Sequence, residues 1–460
     1  MKRFCRLGLF LAGALVSLNA PAFANDSATD AGENSANVDT SMDDVRSALG
    51  SMAVEINEIK SKFGLTIFGD VRARYAVWSQ TQSDKNAPAP GTISDKAVGR
   101  YRARLGAKET IGDMTGGLRV ATGSGKNPNS ENDTYDNGFQ NPGVYIDEAY
   151  LTYEPSFLDK AVKLTVGKMG NPLAFTPMTW DPDICPEGAA LQIFKGGTQF
   201  TAAYFDLVNT AGTGQTSTNS GTGTDEYMAN FQLEQSFKIS DADLKLMLGY
   251  EYIPYANALA GGVVPAGYVG PETALGTSNT PLGSGNLVNG NGSLDDFHMG
   301  EVMVQLKSKL SGAPMQWTLH IADNFNASNV PVNAPTAGTS TPGNAGYTDL
   351  STNLGWYLEA KLGDTQPGDW LGCLAASYVE PNAQLANLAS DDANFTNTQY
   401  LFEQVGYGLQ KNVSLRLSIW EIQRIYNAYY SGSTNKMITS DAGTSRDTLV
   451  QMYADCVFSF

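Results

Sequence analysis

Arg72, Arg74, Arg100, Arg102, Arg104, Lys108 and Arg119 are the residues in this chain best placed to do chemistry. Arg72 and Arg74, then Arg100, Arg102, Arg104 and Lys108, share one parity of their segments, while Val71, Ala73 and Tyr75, then Tyr101, Ala103, Leu105 and Ala107, hold the other; Arg119 stands between Leu118 and Val120. A period of two gathers the cations on one face of each strand. A row of fixed charge selects or orients whatever passes it. Asp70 lies on the same face and Glu148 follows, so the plain alternative is a row satisfied by carboxylates that merely keeps a surface wet. An acidic counterpart lies in the segment from Gly170 to Glu187. It carries Asp181, Asp183 and Glu187 with Trp180 and Pro172, Pro177, Pro182 and Pro186. Its plain alternative is a proline-stiffened external loop with solvated acids.

The elements that must position these groups are strands. Candidates run over 65–78, 98–111, 117–123, 144–154, 161–169, 188–195, 198–208, 226–239, 244–253, 297–310, 315–325, 353–363, 369–380, 397–409, 413–426 and 445–460. That is about sixteen, an even number as single-chain bacterial barrels require, with 14 or 18 as the alternatives. Short links such as Gly112 to Gly116, Ser240 to Asp243 and Gln410 to Asn412 alternate with long ones such as 124–143, 170–187, 254–296 and 381–396. Loop lengths segregated in this way fit a transmembrane antiparallel β-barrel with short turns at one rim and long loops at the other. Tyr150, Tyr153, Trp317, Trp356, Tyr400, Trp420 and Tyr426 lie near strand ends, and some of them are expected to form interfacial girdles.

The last strand sets the phase. Val450, Met452, Ala454, Cys456, Phe458 and Phe460 form an apolar row, against Gln451, Tyr453, Asp455, Val457 and Ser459. In a membrane the apolar row faces lipid, and closure leaves no open edge. Arginines on the lipid face near mid-membrane would cost about 2–4 kcal/mol each, so the basic row belongs in the lumen.

The N-terminus carries Lys2, Arg3 and Arg6, an apolar run from Leu7 to Leu18, and Ala22-Phe23-Ala24, the parts of a signal peptide over residues 1–24. The run is too short for a membrane anchor, and Cys5 precedes it, which excludes a lipoprotein. Removing those three basic residues takes the formal charge from −17 to −20. Such a chain lacks the basic surface that nucleic acid requires. Cys185, Cys373 and Cys456 are odd in number and far apart, which gives no disulfide framework. His298 and His320 offer no zinc spacing, and no nucleophile has a partnered His or Asp. Acidic loops, Asp391-Asp392 among them, lack the spaced oxygen ligands of a calcium loop. No enzyme, cofactor or metal site is expected.

Residues 25–39 read as a disordered acidic lead-in. The segment 40–63 then carries Met42, Val45, Leu49, Met52, Ile56, Ile59 and Phe63, a strict heptad seam. Ile56 and Ile59 at consecutive a and d positions favour a trimer. Three heptads are marginal alone, and a trimeric barrel would raise their effective concentration. The expectation is a short periplasmic coiled-coil helix before an outer-membrane β-barrel over 64–460; the alternative is an amphipathic helix folded against or into its own barrel.

The signal peptide, the heptads, Gly69-Asp70-Val71-Arg72-Ala73-Arg74-Tyr75, Glu148-Ala149-Tyr150-Leu151 and Val166-Gly167-Lys168-Met169 together resemble the Gram-negative putative porin family, related to phosphate-selective and general trimeric porins. The resemblance implies a homotrimer in the cell outer membrane, passing small hydrophilic solutes and ions by passive diffusion. It also implies a third loop folded inward, which would set Asp181, Asp183 and Glu187 against a basic wall like the arginine wall of trimeric porins. The terminal Phe460 resembles the C-terminal signal read by barrel-insertion machinery. A structural protein tethering the envelope through its coiled coil is the rival, with transport incidental.

Overall fold

The computed structural model describes residues 64–81, 93–123, 128–135, 141–208, 226–254, 296–327, 330–332, 348–350, 353–393, 395–425, 428–431, 436–439 and 448–460. The signal peptide, the acidic lead-in, the heptad seam from Met42 to Phe63, and Tyr426 lie outside the described residues.

The period-two segments form β1 (Thr66–Thr81), β2 (Ile93–Ile111), β3 (Met114–Thr122), β4 (Val144–Tyr153), β5 (Val162–Lys168), β6 (Glu187–Lys195), β7 (Thr198–Val208) and β8 (Glu226–Ile239). They continue as β9 (Ala242–Ile253), β10 (Phe297–Leu310), β11 (Ala313–Asn324), β12 (Leu354–Gly363), β13 (Trp370–Val379), β14 (Thr398–Gln410), β15 (Val413–Arg424) and β16 (Thr448–Ser459). Each pairs antiparallel with its neighbours in sequence. The 17-stranded sheet is these sixteen plus a two-residue strand, Asp133–Thr134, laid against β2. The ring closes where β16 pairs with both β15 and β1, from Asp70↔Ser459 to Thr81↔Thr448. Gly69 and Phe460 exchange both backbone bonds at that seam, at 3.0 and 3.1 Å. No barrel strand is left with an open edge.

The phase follows the alternation. Val71, Tyr75, Leu105 and Phe458 are exposed on the outer surface, whereas Asp70, Arg74, Ala76, Arg102, Tyr453 and Asp455 are buried inside. Tyr153, Trp317 and Trp356 sit outward near strand ends as expected. Tyr150, Tyr400 and Trp420 do not, because their strand positions have the inward parity. The Trp420 ring lies 4.3 Å from that of Phe402 and 5.1 Å from that of Tyr400, on the lumen side.

Two connections turn inward. Residues 169–186, between β5 and β6, and residues 380–397, between β13 and β14, pack against the inner wall; Met178, Trp180, Leu385 and Leu388 there join Phe205, Met228, Phe297 and Ile422 of the strands in one apolar cluster. The first loop leaves and re-enters the wall at facing glycines, Gly167 and Gly188. A side chain at Gly167 would meet the Ala149 carbonyl oxygen at 2.4 Å, and one at Gly188 the Tyr204 carbonyl oxygen at 2.1 Å. Gly167 also takes a φ of 111°, which disfavours any other residue.

Candidate pore constriction

Strand register fixes the basic wall. On β1 and β2, Asp70 faces Arg104, Arg72 faces Arg102, and Arg74 faces Arg100. Asp70 serves two cations: Oδ1 accepts from Arg102 at 2.9 Å and Oδ2 from Arg104 Nε at 2.5 Å. Arg74 holds Asp455 of β16 in a two-pronged pair at 2.8 and 3.0 Å, and its guanidinium lies 4.1 Å over the Tyr453 ring.

Arg119 has its own cage, made by an irregularity. In the β3–β4 ladder Arg119 faces Glu148 but Val120 faces Ile146, so Asp147 is the extra residue of a bulge. The bulge turns both acids inward. The guanidinium of Arg119 binds Asp147, meets Glu148 Oε1 at 2.8 Å and donates to Cys185 Sγ at 3.3 Å. Asp147, Glu148 and Cys185 bring ligand atoms within 4.8 Å of one another, a spacing that could hold a metal ion. Arg119 already supplies the positive charge there.

Three cations of the row lack an acid. Arg72 donates to Asn132 Oδ1 at 2.7 Å and Arg100 to Ser130 Oγ at 3.3 Å. Lys108 lies 5.9 Å from the Phe68 ring centroid. Among the described residues, none of the three has a carboxylate within 4 Å.

The acidic side is built by loops. Asp183 Oδ1 lies 3.0 Å from Arg102 Nη1. The same loop reaches other parts of the wall: Ala174 exchanges bonds with Gln232 of β8, and Thr176 Oγ1 lies 2.9 Å from His320 Nδ1 on β11. Loop 380–397 brings Asp391 and Asp392, and Asp392 lies 3.5 Å from Arg74. Glu131, from the segment before the two-residue strand, accepts from Arg104 at 3.2 Å and lies 3.4 Å from Arg102. Glu187 stands apart from this group. It opens β6, is exposed, and pairs with Lys168 at 2.9 Å.

Burial shapes the charge of these loops. It raises the carboxyl of Asp181 well above the usual range, helped by Asp391 and Asp183, and that of Asp391 likewise, helped by Asp392 and Asp183. Glu131 is pushed up to about 8 by burial and by the nearby Asp183, against the pull of Arg104. Burial also pushes the Cys185 thiol up, which keeps it protonated and unreactive.

Between wall and loops lies a cavity of about 340 Å³. Arg72, Arg102 and Arg104 border it on the strand side, and Asp181, Asp183, Asp391 and Asp392 on the loop side. Sequence reasoning found the cations, Asp181 and Asp183. It missed Glu131, Asp147 and Asp455 as partners and treated Asp391-Asp392 as external. The available signal was the apolar content of that loop, Ala383, Leu385, Ala386 and Leu388, which an external loop has no reason to carry.

A closed sixteen-strand barrel with an apolar outside, a charged inner wall and loops folded into its lumen is the architecture of an outer-membrane porin. Residues 42–265 match the model of the "Putative porin" family. The family match and the barrel locate the protein in the Gram-negative outer membrane, and the family and fold are those of channel proteins. The fold is that of OprB from Pseudomonas putida in its high-pH structure, at a TM-score of 0.50 and 12% identity, covering 89% of this chain and 97% of that one. The outer membrane channel DcaP of Acinetobacter baumannii gives 0.42 at 13% identity, covering 86% and 97%. OmpT of Vibrio cholerae, in a trimer form, gives 0.43 at 8% identity, covering 86% and 99%. No curated protein matches the chain.

Proposed function

We propose that this porin passes small hydrophilic solutes and ions through a constriction whose two sides carry opposite charge. The observation that carries this is the cavity itself, lined by Arg72, Arg102 and Arg104 from the strands and by Asp183 and Asp392 from the loops. The transverse field would orient dipolar solutes, and the narrow polar opening would reject large apolar ones. Arg72, Arg102 and Arg104 would set selectivity, with Arg74 and Arg100 extending the row and Arg119 and Lys108 continuing it. The chain would work as a homotrimer, joined by the heptads from Met42 to Phe63.

Planar-bilayer recording tests this. The purified protein should open channels of uniform size in steps of three. Changing Arg72, Arg102 and Arg104 together to Ala should move the reversal potential in a salt gradient towards cations. A silent bilayer refutes the channel, and an unmoved reversal potential removes these arginines from selectivity.

A further inference from the structure

Beside the constriction is a second recess, of about 150 Å³, between the loop residue Asp392 and the inner faces of β1 and β14–β16. Two of its cations are uncompensated, for reasons visible in the register. Arg72 has Arg102 and Val457 as its cross-strand neighbours, so neither flank offers an acid. Arg416 faces Asp455, but both oxygens of Asp455 are engaged by Arg74. Its other neighbour is Gly406, which has no side chain to offer an acceptor. The Nε atoms of Arg72 and Arg416 are buried without a hydrogen-bond partner. An unpaired buried donor on a charged group costs free energy that a bound anion would recover.

The rest of the lining narrows the class of anion. Phe402 and Trp420 form an aromatic wall, and Ser418 is engaged with Gln404 at 2.9 Å. Asp392 and Asp455 in the same recess repel a second negative charge on the ligand. A guanidinium fork matches the two oxygens of a carboxylate, and the aromatic wall matches a flat apolar body. We propose that this recess is a binding subsite for monocarboxylates with a flat apolar body, with Arg416 and Arg72 holding the carboxylate and Phe402 and Trp420 the ring. The subsite rests on the channel proposed above and names a solute class for it.

The test is block of chloride current through the reconstituted full-length channel, with benzoate as the probe and inorganic phosphate and cyclohexanol as comparators. Benzoate should reduce the current saturably, at lower concentration than either comparator, since phosphate lacks the ring and cyclohexanol the charge. R416Q should raise the half-blocking concentration of benzoate by about tenfold or more, the loss expected for a charge-assisted pair. R416K, which keeps the charge but not the fork, should fall between. F402A should weaken benzoate while leaving phosphate unchanged. Equal block by benzoate and phosphate, or an R416Q channel blocked like wild type, overturns the subsite while the chloride current itself upholds the channel. Absence of any current overturns the channel instead.

Discussion

The Asp181 carboxyl accepts the backbone N–H of Asp391 through Oδ2 at 3.1 Å and that of Asp183 through Oδ1 at 2.8 Å. One side chain thus ties the two inward loops together, with Asp181 N donating to Leu388 O at 2.6 Å as a second tie. Replacing Asp181 by Ala leaves two amides without an acceptor, a loss of about 1–3 kcal/mol for each that stays buried. D181A should give a larger and noisier single-channel conductance. Current traces identical to wild type would show that the tie does not hold the opening.

Asp183 is the loop charge that meets Arg102. D183N keeps the size and removes the charge, so the opening becomes more positive. A unit charge about 4 Å away in water is worth about 1 kcal/mol, roughly fivefold in a permeability ratio. The reversal potential in a salt gradient should move towards anions by about that ratio. A shift towards cations would mean that Asp183 serves only to neutralise Arg102.

Glu131 supplies a pH response. With its carboxyl raised to about 8, it is mainly neutral at pH 7 and charged at pH 9. Raising the pH across that interval should move the reversal potential towards cations, and E131Q should remove this component. The linkage has the matching sign. The folded state holds this proton more tightly than the unfolded state, so stability falls as pH rises from the ordinary glutamate range towards 8, then levels off. Melting of wild type and E131Q across that window, followed by tryptophan fluorescence, checks it.

Arg119 is a structural cation. R119M would leave Asp147 and Glu148 facing each other without their partner, and breaking a buried pair in this way costs about 3–5 kcal/mol. The variant should melt well below wild type. It should also gain affinity for cadmium through Asp147, Glu148 and Cys185, read as the ultraviolet absorbance of a cadmium–thiolate bond. A variant that melts like wild type would show that the cage relaxes around the loss.

The strands were legible because a period of two survives in sequence: every candidate from 65–78 to 445–460 overlaps an observed strand. Even the short candidate at 117–123 lies within Met114–Thr122 to one residue at its end. The inward arginines followed from the phase of one strand. What was hidden depends on contacts between distant segments. Nothing local in Asp147-Glu148 announces a bulge, because a single extra residue leaves composition unchanged while reversing parity. Tyr400 and Trp420 looked like girdle residues because aromatic type does not encode side. The partners Glu131, Asp392 and Asp455 come from three different segments, and only the closed barrel makes them neighbours.

Arg74 and Asp455 lie 381 positions apart and meet across the seam where β16 joins β1. The wall is therefore incomplete in any chain whose last strand has not docked. Until then the Arg74 fork lacks its acid, and the recess walled by Phe402, Trp420 and Arg416 has no far side. Closing the cylinder and giving Arg74 its carboxylate therefore depend on the same seam.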